Sequence, residues 1–297
     1  MTRRLKFHAV THDILGDVFW EVFRRGLFDA AARYDVEVEH LRPGRFSPEI
    51  QAGLIGDAVA ARPDGLISTV PDVAAVDRPL REAVAAGIPL ICINAADPRG
   101  PGQRIPYLFY IGGDDGHAGE LAGRYLLGRT GRKPGLCVDH YLYDHICHNE
   151  RWTGFQRAFT KAGVPVERLR VPGGDPAKCA ALVAAHLAAR REIGAVLTLG
   201  PPGAEAVLAA ADGRPAAGNP SHVTFDLAET QIAGIRSGRI LATIDSQQYL
   251  QGYLAVEWLW LHRMHGFTLA ADIHTGPAIV DLSNIDRAAD GVRRGVR

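Results

Sequence analysis

Apolar positions along this chain switch repeatedly between two spacings. Short β-branched runs, continuous enough to be buried on both faces, are each followed by a longer stretch with apolar residues every third or fourth position. Strands are predicted over Lys6–Thr11, Val36–Leu41, Gly65–Ser68, Pro89–Asn94, Tyr107–Ile111, Pro134–Asp139, Arg168–Val171, Ala195–Leu199, His222–Phe225, Ile240–Ile244 and Ile273–Ile279. Helices are predicted over Asp17–Tyr34, Ser47–Ala61, Ala74–Ala86, Gly116–Leu127, Asn149–Ala162, Pro176–Arg190, Gly203–Ala211, Ala228–Ser237 and Tyr249–His265. The first helix shows the pattern well. Phe19, Val22, Phe23, Leu27 and Ala30 share one face, Glu21, Arg24 and Arg25 face out, and Asp17 is placed to cap its start.

Alternating β and α elements predict an α/β fold of parallel sheets covered by helices on both faces. Eleven strands suit two sheets of five or six. A (β/α)8 barrel would use about this length, but the strand count exceeds eight and the helix-poor stretch 94–115 breaks the rhythm. That Pro/Gly-rich stretch, Ala95 to Pro106, is the expected boundary between two lobes with similar element order.

Composition narrows the function. At roughly 150 residues per domain, 297 residues suggest two domains, each able to bury a core without staples. Thirty-three Lys and Arg balance thirty-three Asp and Glu, which argues against a nucleic-acid partner or a polybasic membrane-surface binder. No apolar run reaches the ~18 residues of a membrane span, and Met1 to Phe7 carries no signal-peptide core, so the chain reads as cytosolic or as a mature exported protein. Of the four cysteines, Cys92 and Cys137 sit in apolar runs as small hydrophobes, and a Cys147–Cys179 disulfide has no support beyond its being possible.

Several catalytic signatures are missing. The sequence has no GxGxxG after a strand, no GxxxxGK[ST], no GxSxG and no HExxH. One stretch resembles a metal site: Asp139 to His148 holds three histidines, two aspartates and a cysteine. It reads equally as a polar loop after a strand, and nothing in it specifies a ligand geometry. Two similar α/β lobes without catalytic signatures fit a cleft that binds and closes.

Several segments, in this order and spacing, carry a resemblance over nearly the whole chain: Val10 to Trp20 with Gly26, Ala61 to Ile67, Val84 to Asn94, Gly113 to Gly119, Asn149 to Phe155, Thr224 to Leu227, Ile244 to Tyr253, and Thr275-Gly-Pro. The chain resembles the periplasmic sugar-binding proteins of ABC transporters, the ribose-binding-like group with the type I periplasmic-binding fold. The resemblance implies two doubly wound parallel-sheet lobes joined by a three-crossing hinge. Residues 1–113 plus 247–276 would form the N-terminal lobe and 114–246 plus 277–297 the C-terminal lobe. It further implies a monomeric, non-enzymatic solute-binding component of an importer, periplasmic or extracellular, with a permease as partner and no cofactor or bound metal. A sugar or polyol would be captured by hinge closure.

In open α/β sheets ligands sit beyond the carboxyl ends of the strands. The resemblance places ligand contacts at Asp17, Phe19, Trp20, Thr69, Asn94, Arg151, Asp226 and the run from Asp245 to Gln247. Planar and charged side chains match hydroxyls, which both donate and accept. Each position also has a structural reading. Asp17 also reads purely as a cap, and Phe19 packs equally well in the core. Trp20, off the Phe19 stripe, is expected to face the cleft. Arg151 could simply pair with Glu150 or Asp144. Asn94 and Asp226 end apolar strands, where a buried polar group needs partners. His12 and His140 lie at equivalent strand ends and could face each other across the cleft. Departures from ribose-type relatives (Asn94-Ala95 for Asp-Arg, Gly200-Pro-Pro-Gly where they carry Asn, Ser246 for Gln) argue against ribose and for another pentose, a hexose, a polyol or inositol. The alternatives are the sensor domain of a LacI-type regulator, without its DNA-binding head, and a metal-dependent hydrolase built on His140–His148.

Overall fold

The computed structural model describes residues 3–13, 16–212 and 219–297. Ile14 and Leu15, inside the first of the quoted segments, lie outside the described residues. The chain divides into two compact units: 1–113 with 247–275 and 295–297, and 114–246 with 276–294.

The first unit is built on β1 (Lys6–Val10), β2 (Glu37–Leu41), β3 (Gly65–Ser68), β4 (Leu90–Ile93), β5 (Tyr110–Gly113) and β11 (Ile273–Gly276), in the order β11-β5-β4-β3-β1-β2. The second uses β6 (Gly135–Asp139), β7 (Val166–Arg170), β8 (Ala195–Thr198), β9 (Ser221–Phe225), β10 (Ala242–Asp245) and β12 (Ala278–Asp281), in the order β12-β10-β9-β8-β6-β7. The two orders are the same wiring twice, so β1 corresponds to β6, β3 to β8 and β4 to β9. Pairing from β2 through to β5, and from β7 through to β10, is parallel, while β12 runs antiparallel to β10. Central strands such as Gly65–Ser68 and Ala195–Thr198 are buried throughout, as sheets covered on both faces require. The outermost β2 and β7 carry Glu37, Glu39, Arg168 and Arg170, charges that discourage edge-to-edge pairing.

Helices seal each sheet. In the first unit α1 (Val18–Tyr34) and α9 (Gln248–His265) bury Phe23, Leu27, Val256 and Leu259 against one face; α2 (Pro48–Ala60) and α3 (Val73–Ala85) bury Ile55, Val76 and Leu80 against the other. In the second, α4 (Asp115–Thr130) and α5 (Ile146–Lys161) cover one face, and α6 (Pro176–Ala189) with α7 (Pro201–Ala211) the other. Two further helices, α8 (Glu229–Arg236) and α10 (Ile285–Arg293), close a separate apolar cluster.

The elements depart from the sequence reading in two places. The strand expected over Ile273–Ile279 is two strands, because Pro277 has no N–H to continue a ladder. Helix α10 has no counterpart in the predicted set. Its apolar face consists of Ile285, Ala288, Ala289 and Val292, small residues whose period is easily lost among charges. All four cysteines are buried and none is in a disulfide, so the Cys147–Cys179 bridge is not formed.

One packing detail positions the site. In both units the helix pair on one face approaches so closely that reciprocal glycines are required. A β-carbon at Gly119 would lie 1.9 Å from the Arg151 carbonyl oxygen, and one at Gly154 would lie 1.9 Å from that of Gly116. Gly26 and Gly252 play the same part between α1 and α9. On α4, Gly128 has nothing within 4 Å of its would-be β-carbon. Gly119→Ala is therefore expected to lower stability by about 2 kcal/mol or more, and Gly128→Ala to raise it by about 0.5–1 kcal/mol through helix propensity. Urea denaturation of the two variants checks this. Equal effects would mean that the helices have room to separate.

Candidate functional site

Each sheet is sealed on both faces, so polar side chains gather where the strands end. Among the described residues six non-glycine residues have positive φ. Asp35, Arg62 and Arg132 follow helices, where a left-handed residue is a common terminator. Asn94 (φ 59°), Asp226 (65°) and Gln247 (51°) instead follow strands β4, β9 and β10. Left-handed backbone at a non-glycine residue is an energetic cost of order 1 kcal/mol that concentrates at functional sites. All three were candidates from the sequence, and Asn94 and Asp226 occupy corresponding positions in the two units.

In the first unit the ends of β1 and β3 are joined by hydrogen bonds. His12 Nδ1 lies 2.9 Å from Thr69 Oγ1, and the amide Nε2 of the buried Gln51 donates to both the carbonyl oxygen (3.0 Å) and the Oγ1 (2.9 Å) of Thr69. The His12 ring sits edge-on to Trp20 and Phe46, at 4.9 and 6.0 Å between centroids. Trp20 corrects the expectation that it would be exposed. It is 4% exposed and belongs to the core, because with Phe23, Leu27, Ala30 and Ala31 it forms the buried stripe of α1. Phe19 is the half-buried neighbour at the edge of that core. Asp17 is the cap of α1, accepting the Phe19 N–H at 2.9 Å, and burial raises its pKa. Tyr110 Oη donates to the Asn94 carbonyl oxygen at 2.6 Å, which helps hold the left-handed residue.

In the second unit Arg151, 6% exposed, is the centre. Its Nε donates to Asp115 Oδ1 at 2.6 Å, its Nη1 to the Leu199 carbonyl at 3.0 Å, and its guanidinium lies 4.1 Å from the centre of the Phe225 ring. The close approach at Gly119 brings Arg151 to Asp115, so its partner is neither Glu150 nor Asp144; Asp144 is taken by Arg170. Burial alone lowers the pKa of Arg151, but the charges of Asp115 and Asp226 outweigh it and hold the guanidinium ionised. Asp226 Oδ1 accepts from Ser246 Oγ at 3.3 Å, and its carbonyl accepts from Thr243 Oγ1 at 2.6 Å. The structure thus brings together Arg151, Asp226 and Ser246 of this unit. Gln247 belongs to the other unit, where its amide donates to the Thr275 carbonyl.

His140 ends β6 as His12 ends β1. A β-carbon at Gly200 would lie 2.7 Å from His140 Cε1, so the imidazole occupies the space that a side chain at position 200 would need. His140, His145 and His148 are buried, and burial lowers the pKa of each, that of His145 to about 4. His148 Nδ1 is 2.6 Å from Asp139 Oδ1, and Asp139 also pairs with Arg168. Tyr141 stacks on His148 at 4.4 Å. Among the described residues no group of three or more His, Cys, Asp or Glu is arranged to hold a metal ion.

Sequence reasoning missed Gln51, Asp115 and Asp13. Asp13 follows an apolar strand as Asp226 does, so the same signal would have found it. It is fully buried; Oδ2 meets Arg42 Nη1 at 3.1 Å, and Oδ1 has no hydrogen-bond partner among the described residues. Burial raises its pKa to about 6, against the opposing pull of Arg42.

The chain is thus a pair of six-stranded α/β units of one wiring, each with polar groups concentrated at the strand ends. The profile described as a periplasmic binding protein domain matches residues 9–264, and the chain belongs to that family. A carbohydrate transporter protein from Acidothermus cellulolyticus 11B, solved with myo-inositol, is 34% identical, with a TM-score of 0.88 over 99% of this chain and 100% of that one. A periplasmic sugar-binding protein of an ABC sugar transporter from Legionella pneumophila is 24% identical, with a TM-score of 0.83 over 92% and 100%. An ABC transporter solute-binding protein from Burkholderia graminis C4D1M, solved with D-arabinose, is 19% identical, with a TM-score of 0.84 over 96% and 98%. These last two share the fold. No curated protein matches the chain. No helix among the described residues is long and apolar enough to cross a membrane.

The raised pKa of Asp13 has a signed consequence. Its carboxyl binds a proton more tightly when folded (about 6) than when unfolded (3.8). Ionising it therefore costs stability, which is lost as pH rises through about 6 and regained on acidification towards 4. Asp13→Asn can keep the Arg42 contact through its amide oxygen without the charge. It should be more stable than the parent by about 2 kcal/mol at pH 7.5, with the gap narrowing to about a third of that at pH 4.5. Melting curves across that range check it; a variant less stable at pH 7.5 would contradict the assignment.

Proposed function

We propose that this protein is the solute-capturing component of an ABC importer and binds a sugar or polyol, with a cyclic polyol of the inositol class the leading candidate. The observation that carries the reading is the buried Arg151–Asp115 pair with Asp226 and Ser246 beside it. Charged donors and acceptors held this close offer complementary bonds to neighbouring ring hydroxyls, each about 1.5–3 kcal/mol when one partner is charged. The 34% identity to a protein solved with myo-inositol supports the choice of ligand.

On this reading the first unit contributes His12, Thr69 and Asn94, with Phe19 offering an apolar surface to a ring. Asp17 serves mainly the helix and Trp20 backs His12. In the second unit Arg151 and Asp226 bind hydroxyls and His140 shapes the pocket. Gln247 is proposed to tune the junction near Thr275. No reaction is catalysed. The ligand favours whichever arrangement of the lobes engages both sets of residues, and hinge closure follows from those extra contacts. The protein acts as a monomer outside the cytoplasmic membrane and delivers its ligand to a membrane permease.

A ligand that binds only the native state raises the melting temperature, by about 2.7 kcal/mol of stabilisation at a hundredfold excess over Kd. A thermal-shift panel of inositols, pentoses, hexoses and linear polyols should contain at least one clear shift, and no response from any of them would contradict the reading. Asp226→Asn keeps a residue that tolerates the left-handed backbone. It should weaken the best ligand at least tenfold by calorimetry; unchanged affinity would remove Asp226 from the site.

A further inference from the structure

We infer that Gln51 and Thr69 form a hydrogen-bond relay that fixes His12 as the Nε2–H tautomer, so that the strand-end imidazole acts as a donor. The inference deepens the proposed sugar or polyol site and rests on that reading only for its consequence in binding.

The chain of reasoning starts at a carbonyl. The Thr69 backbone oxygen can only accept, so the Gln51 side-chain atom 3.0 Å from it must be the amide nitrogen. The same nitrogen lies 2.9 Å from Thr69 Oγ1, so the hydroxyl oxygen accepts a hydrogen bond from Gln51. Flipping the amide would set two acceptors against each other at the carbonyl. The orientation is kept even though it leaves the buried Gln51 Oε1 without a partner among the described residues, a cost of about 1–3 kcal/mol.

With an N–H already donated into Thr69 Oγ1, the hydroxyl's single hydrogen needs an acceptor. His12 Nδ1 lies 2.9 Å away, and Thr69 is fully buried, beyond the reach of solvent. The hydroxyl therefore donates to Nδ1, Nδ1 carries no hydrogen, and the ring proton of neutral His12 sits on Nε2. Edge-on contacts from Trp20 and Phe46 hold the ring plane. Gln51 is thus a positioning residue acting through Thr69, and the donor of the neutral His12 ring is its Nε2–H.

The test uses the intact protein labelled with 15N-histidine. Long-range 1H–15N spectra at pH 8, with the His12 signals assigned by their loss in His12→Gln, should show the Nε2–H pattern, without any ligand. An Nδ1–H pattern for His12 in the parent protein would overturn the inference. Thr69→Val removes the hydroxyl beside Nδ1 and should shift the His12 Nδ1 resonance, whereas Thr69→Ser should keep the parent spectrum. A valine variant with an unchanged spectrum would also overturn it. In calorimetry with the best ligand of the sugar panel, Gln51→Leu and Thr69→Val should bind five- to tenfold more weakly and Thr69→Ser within twofold of the parent. If the tautomer is as stated but no sugar or polyol binds, the sugar reading fails and the relay stands.

Discussion

A parallel sheet covered by helices on both faces leaves a polar side chain only one inexpensive place to be: beyond the ends of the strands. Everything that marks this protein as a binder follows from that constraint, applied twice. Central strands such as Gly65–Ser68 and Ala195–Thr198 are apolar and sealed, with only a terminal hydroxyl at Ser68 and Thr198. The residues that follow strands, His12, Asp13, Thr69, Asn94, His140 and Asp226, are where hydrogen-bonding groups accumulate. The unfavourable left-handed backbone at Asn94 and Asp226 sits at corresponding strand ends, which repetition of one wiring makes natural.

Packing and chemistry are linked through the helix pairs. Reciprocal glycines let α4 and α5 come close enough for Arg151 to reach Asp115, and burial then makes that pair strong and costly to break. The guanidinium lies against the Phe225 face, so its orientation is set by aromatic packing as well as by its carboxylate. A similar economy holds at β6, where an imidazole at His140 and a glycine at position 200 occupy one volume between them.

The fold was legible because the change of hydrophobic period is a strong, repeated signal, and strands such as Gly65–Ser68 emerge residue for residue. Short α10 was not, because an apolar face of Ile285 and alanines hardly rises above its charged neighbours. At the site, Asp226 was visible as an acid after an apolar strand, and Asp13 gave the same signal. Trp20 was misjudged because it was set apart from a stripe holding Phe23 and Leu27, although it lies three and seven positions before them on α1 and is buried with them. Gln51 and Asp115 were beyond reach. Each acts through a partner far away in sequence, Thr69 and Arg151, and only the folded chain brings them together.

The most direct measurement is a crystal structure with the polyol or sugar that gives the largest thermal shift. The account predicts ligand oxygens within hydrogen-bond distance of Arg151 and Asp226, and of at least one of His12, Asp13 and Asn94. A ligand bound away from these strand ends, or touching none of the charged pair, would contradict it.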